Sequence, residues 1–207
     1  MAGGFLGRVA ADTLGISDIG KIIDVKDFDK VDGDDFILHE DGEKIYYVIK
    51  SKTDEYVFTN YGLIHVDGKS AVDKKRLVKR YEFKSTILSQ VYIETAGMID
   101  LDIEIKFNLG EETFSIDVDR NQMTKLKQIY KTLVEISRMQ QHHKMLFQDG
   151  VTGLERANAG ISRNLIQGDI VEAVEKLTNF NLDWMEALRK EYQVRDYSNV
   201  YEKYRLV

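Results

Sequence analysis

The sequence predicts an α+β protein: seven antiparallel strands forming a barrel or sandwich, one long helix closing it, and an all-helical remainder. Three observations carry this. Turn-punctuated runs of β-forming residues fill positions 44 to 118. At residue 119 the apolar period changes from two to about 3.6. From 153 to 207 every periodic segment is helical.

In chain order, Phe5, Leu6, Val9, Ala10 and Leu14 have helical spacing and end at Gly15, which predicts a short amphipathic lead-in helix. An acidic connector follows over residues 24–43 and includes Asp27-Phe28-Asp29-Lys30-Val31-Asp32-Gly33. It is not a calcium loop, because Val31 stands at the fifth position, Asp32 at the sixth and Leu38 at the twelfth. Strands are predicted over 45–51, 55–60, 63–67, 70–83, 88–95, 99–108 and 111–118, with Asp67-Gly68 a strong hairpin signal. In the sixth, Asp100, Asp102 and Glu104 alternate with Ile99, Leu101, Ile103 and Ile105. A period of two puts the carboxylates on one face and the aliphatics on the other.

Asp119 and Gln122 have capping-box spacing, and Met123, Leu126, Ile129, Tyr130, Leu133 and Ile136 recur helically behind them. This predicts a helix running to a stop at Asp149-Gly150, ~43 Å long at ~1.5 Å per residue. Further helices are predicted near 154–166, 169–177, 182–192 and 197–204. The domain reading is therefore 1–33 lead-in and connector, 34–148 β-rich domain closed by the helix, and 149–207 helical extension.

The 207 residues contain no cysteine, which excludes disulfides, thiolate metal sites and cysteine nucleophiles and suits a cytoplasmic setting. They contain no proline either, so turns depend on 15 glycines with Asn and Asp. A net charge of −6 argues against nonspecific nucleic-acid binding by the whole surface. No run of about 18 apolar residues offers a membrane span, and no motif supports membrane association.

Several segments resemble the bacterial pleckstrin-homology (PH) domain family. They are Tyr81-Glu82-Phe83-Lys84-Ser85-Thr86-Ile87, Ile93-Glu94-Thr95-Ala96-Gly97, the alternating strand from Ile99 to Ile105, and Phe58-Thr59-Asn60-Tyr61-Gly62-Leu63-Ile64. Seven strands followed by one long helix is also the PH order. The resemblance spans about residues 34–140, and the helical remainder is similar to a YvbH-type oligomerisation extension. It implies a PH-like seven-stranded antiparallel β-barrel closed by a long helix, homo-oligomers that are often rings, and no catalytic residues.

Candidate sites follow from charge and aromatic patterning. Lys74, Lys75, Arg76, Lys79 and Arg80 form a basic strand able to hold an anionic ligand or membrane headgroup, or a partner protein, or simply to guard an edge. As a strand, it splits these cations between two faces. Asp100, Asp102 and Glu104 lie ~7 Å apart at alternate positions, too far to share a metal unaided, so no metal is expected. They could instead meet the basic strand of a neighbouring subunit, in which case charge reversal at Asp102 or Arg76 would weaken assembly. Trp184 and the i, i+4, i+7 series Tyr197, Tyr201, Tyr204 are candidate subunit-interface residues. His39, His65 and His142-His143 lack ligand spacing, and no nucleotide-binding or nucleophile-elbow glycine pattern occurs. No catalytic residue and no cofactor is assigned. The chain reads as a noncatalytic homo-oligomeric interaction or scaffold protein, with an unidentified protein partner possible.

Overall fold

The computed structural model describes residues 19–68, 76–95, 102–162 and 170–205. The lead-in helix predicted over 4–15 lies outside them, as do Lys74, Lys75 and Asp100. The chain divides into two compact units. One takes in residues up to Ser137 together with Arg195 onward; the other is Arg138–Val194.

The first unit is built from two antiparallel sheets. Strands β1 (Lys21–Ile22), β2 (Ile45–Lys50), β3 (Asp54–Thr59), β4 (Gly62–Asp67) and β5 (Leu77–Glu82) pair in sequence order. Strands β6 (Leu88–Thr95), β7 (Asp102–Leu109) and β8 (Glu112–Asp119) form the second sheet. The expected seven-stranded barrel is thus corrected to eight strands in two sheets that do not close. At one end the chain leaves β5 in a turn, where Ser85 and Thr86 N–H both donate to the Glu82 carbonyl (3.1 and 2.9 Å), and β5 and β6 share no ladder. At the other, the sheets meet in one parallel bridge between Gly20 and Val118. There Gly20 N–H donates to the Asp117 carbonyl and Asp119 N–H to that of Gly20, both at 3.0 Å. A Cβ on Gly20 would lie 2.6 Å from the Asp117 carbonyl oxygen, so only glycine permits this approach.

β1 is too short to leave a periodic trace. It is completed by a side chain: Ile22 N–H donates to Gln122 Oε1 (2.7 Å), and Gln122 Nε2 donates to the Ile22 carbonyl (2.8 Å). The Gln122 amide therefore substitutes for a neighbouring strand and does not close a capping box. Asp119 does cap, accepting from Asn121 N–H at 2.9 Å ahead of the helix.

The alternation in β7 buries Ile103, Ile105, Phe107 and Leu109, and β8 adds Phe114, Ile116 and Val118. Leu126, Ile129, Leu133 and Ile136 of helix α1 (Met123–Ser162) are also fully buried. Burying four such side chains favours folding by roughly 6–12 kcal/mol relative to exposure. The acidic connector contributes too. Its three 3-10 turns, Val25–Lys30, Asp32–Phe36 and His39–Asp41, place Val31 and Ile37 in a cluster with Ile23, Val48, Val57, Ile64 and Val66. Its apolar residues dock while its carboxylates stay outside.

Helix α1 does not stop at Gly150. Its 40 residues span ~60 Å at ~1.5 Å per residue. Gly150 serves packing instead: a Cβ there would lie 2.6 Å from Leu188 Cδ2. Leu188 belongs to α2 (Ile170–Tyr192), a single helix where two were expected. The Tyr192 ring lies 6.1 Å from that of His143. With 143 near 192 and 150 near 188, the distal half of α1 and α2 form an antiparallel hairpin, the second unit.

Helix α3 (Ser198–Tyr204) returns to the first unit. The division between the two units falls within α1 after Ser137, and Arg195 onward groups with the first unit.

Candidate functional site

The described cations of β5 are engaged inside the chain. Arg76 pairs with Asp32 of the connector, and Lys79 lies 3.7 Å from Glu112 of β8. Arg80 Nη1 donates to Glu43 Oε1 at 2.8 Å, and its Nη2 to the Phe36 carbonyl at 2.6 Å. The basic strand thus holds the acidic connector of its own chain. Arg76, Lys79 and Arg80 therefore each have an acidic partner within their own chain.

Glu43, 1% exposed, is the centre of this clamp. It also accepts from Leu38 N–H (2.8 Å) and the Thr59 hydroxyl (2.7 Å). Burial alone would raise its pKa, but Arg80, Leu38 and Thr59 together outweigh that and hold the carboxyl below its ordinary value. A second buried pair, Lys50 with Glu55, lies nearby in the chain, and Glu55 accepts from Gly33 N–H (2.9 Å) and Asp32 N–H (3.2 Å). Sequence reasoning missed both carboxylates. The only signal was a lone Glu beside a glycine turn and a Lys-Glu separation of five.

Asp102 and Glu104 lie on the solvent-facing side of β7, as the alternation requires. Glu104 stands between Glu94 of β6 and Asp117 of β8, and Asp102 stands opposite Asp119. Facing like charges destabilise a sheet. Lys106 relieves them by pairing with Glu94 and, at 2.8 Å, with Glu104. Lys106 and Ser115 hold the Glu104 carboxyl down, while burial and then Glu104 and Asp102 push Asp117 up. The result is a shallow acidic groove of about 260 Å³ lined by Glu94, Thr95, Asp102, Glu104 and Asp117. Among the described residues no three His, Cys, Asp or Glu side chains gather to hold a metal ion.

The C-terminal tyrosines are brought together, but within the first unit. Tyr201 is 0% exposed and stacks on Tyr46, with centroids 4.5 Å apart. Tyr47 tilts against it at 5.8 Å. Tyr197, 2% exposed, meets Phe83 edge-on at 5.6 Å, and its N–H donates to the Asn60 carbonyl (3.0 Å). Arg195 lies over the Tyr61 ring at 4.0 Å, and Lys203 pairs with Glu135 at 3.1 Å. Tyr197 and Tyr201, read from the sequence as subunit-interface candidates, have their rings covered by their own chain. Tyr204 is half-buried beside Lys203. The segment 195–205 is a latch, and its i, i+4 stripe could be read as a buried face without revealing which body buries it.

Exposed large apolar side chains occur in the first unit at Val25, Phe36, Leu38, Leu77 and Tyr92, but among the described residues more of them lie in the second. Helix α2 has no buried residue, and Trp184, Phe180, Leu182 and Val171 are 41%, 53%, 62% and 71% exposed. Ile170 and Val174 at its start, and Met145 and Ile161 of α1, are exposed as well. Of the interface candidates chosen from sequence, Trp184 is the one that sits in this patch.

Two packed antiparallel sheets followed by a long helix define a PH-like domain, here carrying a helical hairpin. A family model described as Bacterial PH domain matches residues 13–137, and one described as YvbH-like oligomerisation region matches 151–205. The chain belongs to the bacterial PH domain family. It is 46% identical over 198 residues to the Bacillus subtilis (strain 168) protein called Uncharacterized protein YvbH, covering 95% of this chain and 97% of that one. YjqA, with the same designation and source, is 39% identical over 66 residues, 32% of this chain and 51% of that protein. The crystal structure of a PH-domain-containing protein from Exiguobacterium sibiricum 255-15 is similar with a TM-score of 0.83 at 40% identity, over 90% of this chain and 99% of that one. Among the described residues no helix is long and apolar enough to cross a membrane.

Proposed function

We propose that this protein is a noncatalytic, homo-oligomeric scaffold in which the helical hairpin assembles copies and the PH-like unit is the body so arrayed. The observation that carries this is the exposure of α2. Six large apolar side chains on one 23-residue helix, in a region matched by an oligomerisation model, form a surface that water alone disfavours. The buried titratable groups of the PH-like unit support the noncatalytic part. Glu43, Lys50 and Glu55 are bonded to structural partners.

The test is solution mass by light scattering, for the full chain and for a version with 139–192 replaced by a flexible ten-residue linker. Ending the chain near Gly150 would be a poorer test, because it also removes Tyr197 and Tyr201 from the first unit's core. A full-length mass of several times 23.9 kDa that falls to that of one chain on excision supports the scaffold reading. Two monomers refute it.

A further inference from the structure

Strand β6 pairs with β7 on one side and, among the described residues, with no strand on the other. Along such an edge every second residue turns its N–H and C=O away from the ladder, a template for one more extended strand. The inward row of β6 is also incompletely covered. Leu88, Ile93 and Thr95 stand opposite Leu109, Ile105 and Ile103. Leu88 and those three partners are buried, whereas Ile93 is half-buried and Thr95 exposed.

The path of α1 explains this gradient. Thr95, Ile103 and Val118 form one row across the second sheet; Leu88, Leu109 and Glu112 form the row at its other end. The chain enters α1 just beyond Val118, and Ser137 Oγ of that helix donates to the Leu88 carbonyl at 2.7 Å. The helix therefore crosses diagonally, from the β8 corner of one row to the β6 corner of the other. Those corners are two strands apart, ~10 Å at ~4.8 Å per strand. A wedge is left beside the second half of β6, widening from Leu88 toward Thr95.

At ~100° per residue, Tyr130 and Val134 lie within about 60° of Ser137, on the flank of α1 that borders this wedge. Both are half-buried. Lys127 and Lys131 continue round the same side, ~80° and ~120° from Ser137. Both are exposed, and neither has an ion-pair partner among the described residues. Lys125, ~120° the other way, pairs with Asp24 of the connector.

We propose that an extended, acidic segment of a partner protein adds to β6 as a further antiparallel strand, in the wedge between that edge and α1. Backbone hydrogen bonds to β6 hold it. Its inward row sets apolar side chains against Ile93, Tyr130 and Val134, and its carboxylates meet Lys127 and Lys131. This goes beyond the scaffold reading, since it gives the PH-like unit a ligand, and it does not depend on how copies assemble. The chain's own edge strands do not supply the occupant. A second β6 would bring one carboxylate, Glu94, on the outward row and already paired with Lys106, and none on the inward row. The other edge strand of this kind, β5, carries Lys79 and Arg80, which Lys127 and Lys131 would repel. A segment of different sequence, apolar at alternate positions and acidic, answers both walls and charge.

The experiment selects binders of the full-length protein from a phage-displayed library of random twelve-residue peptides, then titrates the winners by fluorescence polarisation. Selected peptides should alternate apolar residues and carry Asp or Glu. Binding should slow hydrogen exchange at amides of Tyr92–Thr95 and leave β5 unchanged. Two full-length variants test the walls: Lys127→Glu with Lys131→Glu, and Val134→Ala. All three substitutions introduce good helix formers, so far-UV circular dichroism and solution mass should match the parent. The lysine variant should bind about tenfold more weakly and lose the salt dependence of the parent. Val134→Ala should bind several-fold more weakly. Failure to enrich any sequence, enrichment of basic peptides, or unchanged affinity in either variant would each overturn the proposal. So would β6 amides as protected in the unliganded protein as those of β7, since another copy would then already cover the edge. Vesicles of phosphatidylserine and phosphatidylcholine are the control. Vesicle binding through Lys127 and Lys131 with no peptide selected would make this a membrane-facing surface and would also sink the proposal.

Discussion

Replacing Tyr201 tests the C-terminal latch through two substitutions with opposite expected signs. The ring is fully buried, stacked on Tyr46 at 4.5 Å and tilted against Tyr47 at 5.8 Å. Its hydroxyl is buried with no hydrogen-bond partner among the described residues. Tyr201→Ala removes the ring and both aromatic contacts, at a cost of about 3–5 kcal/mol. Tyr201→Phe keeps the ring and deletes only an unpartnered buried hydroxyl, so it should be neutral or stabilise by about 1 kcal/mol. At ~2–4 °C per kcal/mol for a chain of this size, the alanine variant should lose roughly 6–20 °C. Unfolding followed by far-UV circular dichroism reads this directly. Fluorescence of the single tryptophan, Trp184, follows the hairpin separately. A phenylalanine variant as unstable as the alanine one would refute the packing argument. So would an alanine variant with an unchanged midpoint.

The same tyrosines give an alkaline signature. Burial raises Tyr197 to about 12 and Tyr201 well above the ordinary 10.0. The unfolded chain ionises first, so stability should be intact below pH 10 and decline between about 10 and 12, by less in a Tyr197→Phe variant monitored by urea midpoint. Glu43 works from the other side. Its lowered carboxyl contributes stability that is present above about pH 4.5 and lost as pH falls through its folded pKa. Glu43→Ala leaves Arg80, Thr59 and Leu38 N–H without that acceptor and should cost roughly 3 kcal/mol at pH 7, shrinking toward pH 3; an undiminished cost at pH 3 contradicts the charge argument. Gly62→Ala would put a Cβ 2.0 Å from the Tyr81 carbonyl oxygen, forcing β4 from β5 at a cost of about 3 kcal/mol or more. A normal melting temperature would show that this ladder can shift.

Where one face of an element is buried by its nearest neighbours, the sequence displayed it. The alternation through Asp102, Ile103, Glu104 and Ile105 exists because β7 has a core side and a water side, and Leu126 to Ile136 repeat because α1 lies on that core. Residues whose role depends on a distant segment left no such trace. Gly150 looked like a helix stop because glycine disfavours helix, and only Leu188, 38 positions later, shows why it is tolerated. The cations of β5 looked free because their partners, Asp32, Glu43 and Glu112, are far away in sequence. Tyr197 and Tyr201 advertised burial but not the body that buries them. The exposed side chains of α2 were half legible: Trp184 and Leu182 stood out in an apolar stripe, while Val171 drew no notice.

The latch also orders events during synthesis. The hairpin is an insertion within the PH-like unit: the chain departs at Ser137 and rejoins that unit at Arg195. A ribosome working from the N-terminus therefore produces all eight strands, ending at Asp119, then 77 further residues, before Tyr197 is added. At about 5–20 residues per second that interval is ~4–15 s. Throughout it, the surface formed by Tyr46, Tyr47, Asn60 and Phe83 has no latch. The PH-like unit is thus the last part of the chain to be finished, after every residue of the hairpin inserted in it has been made.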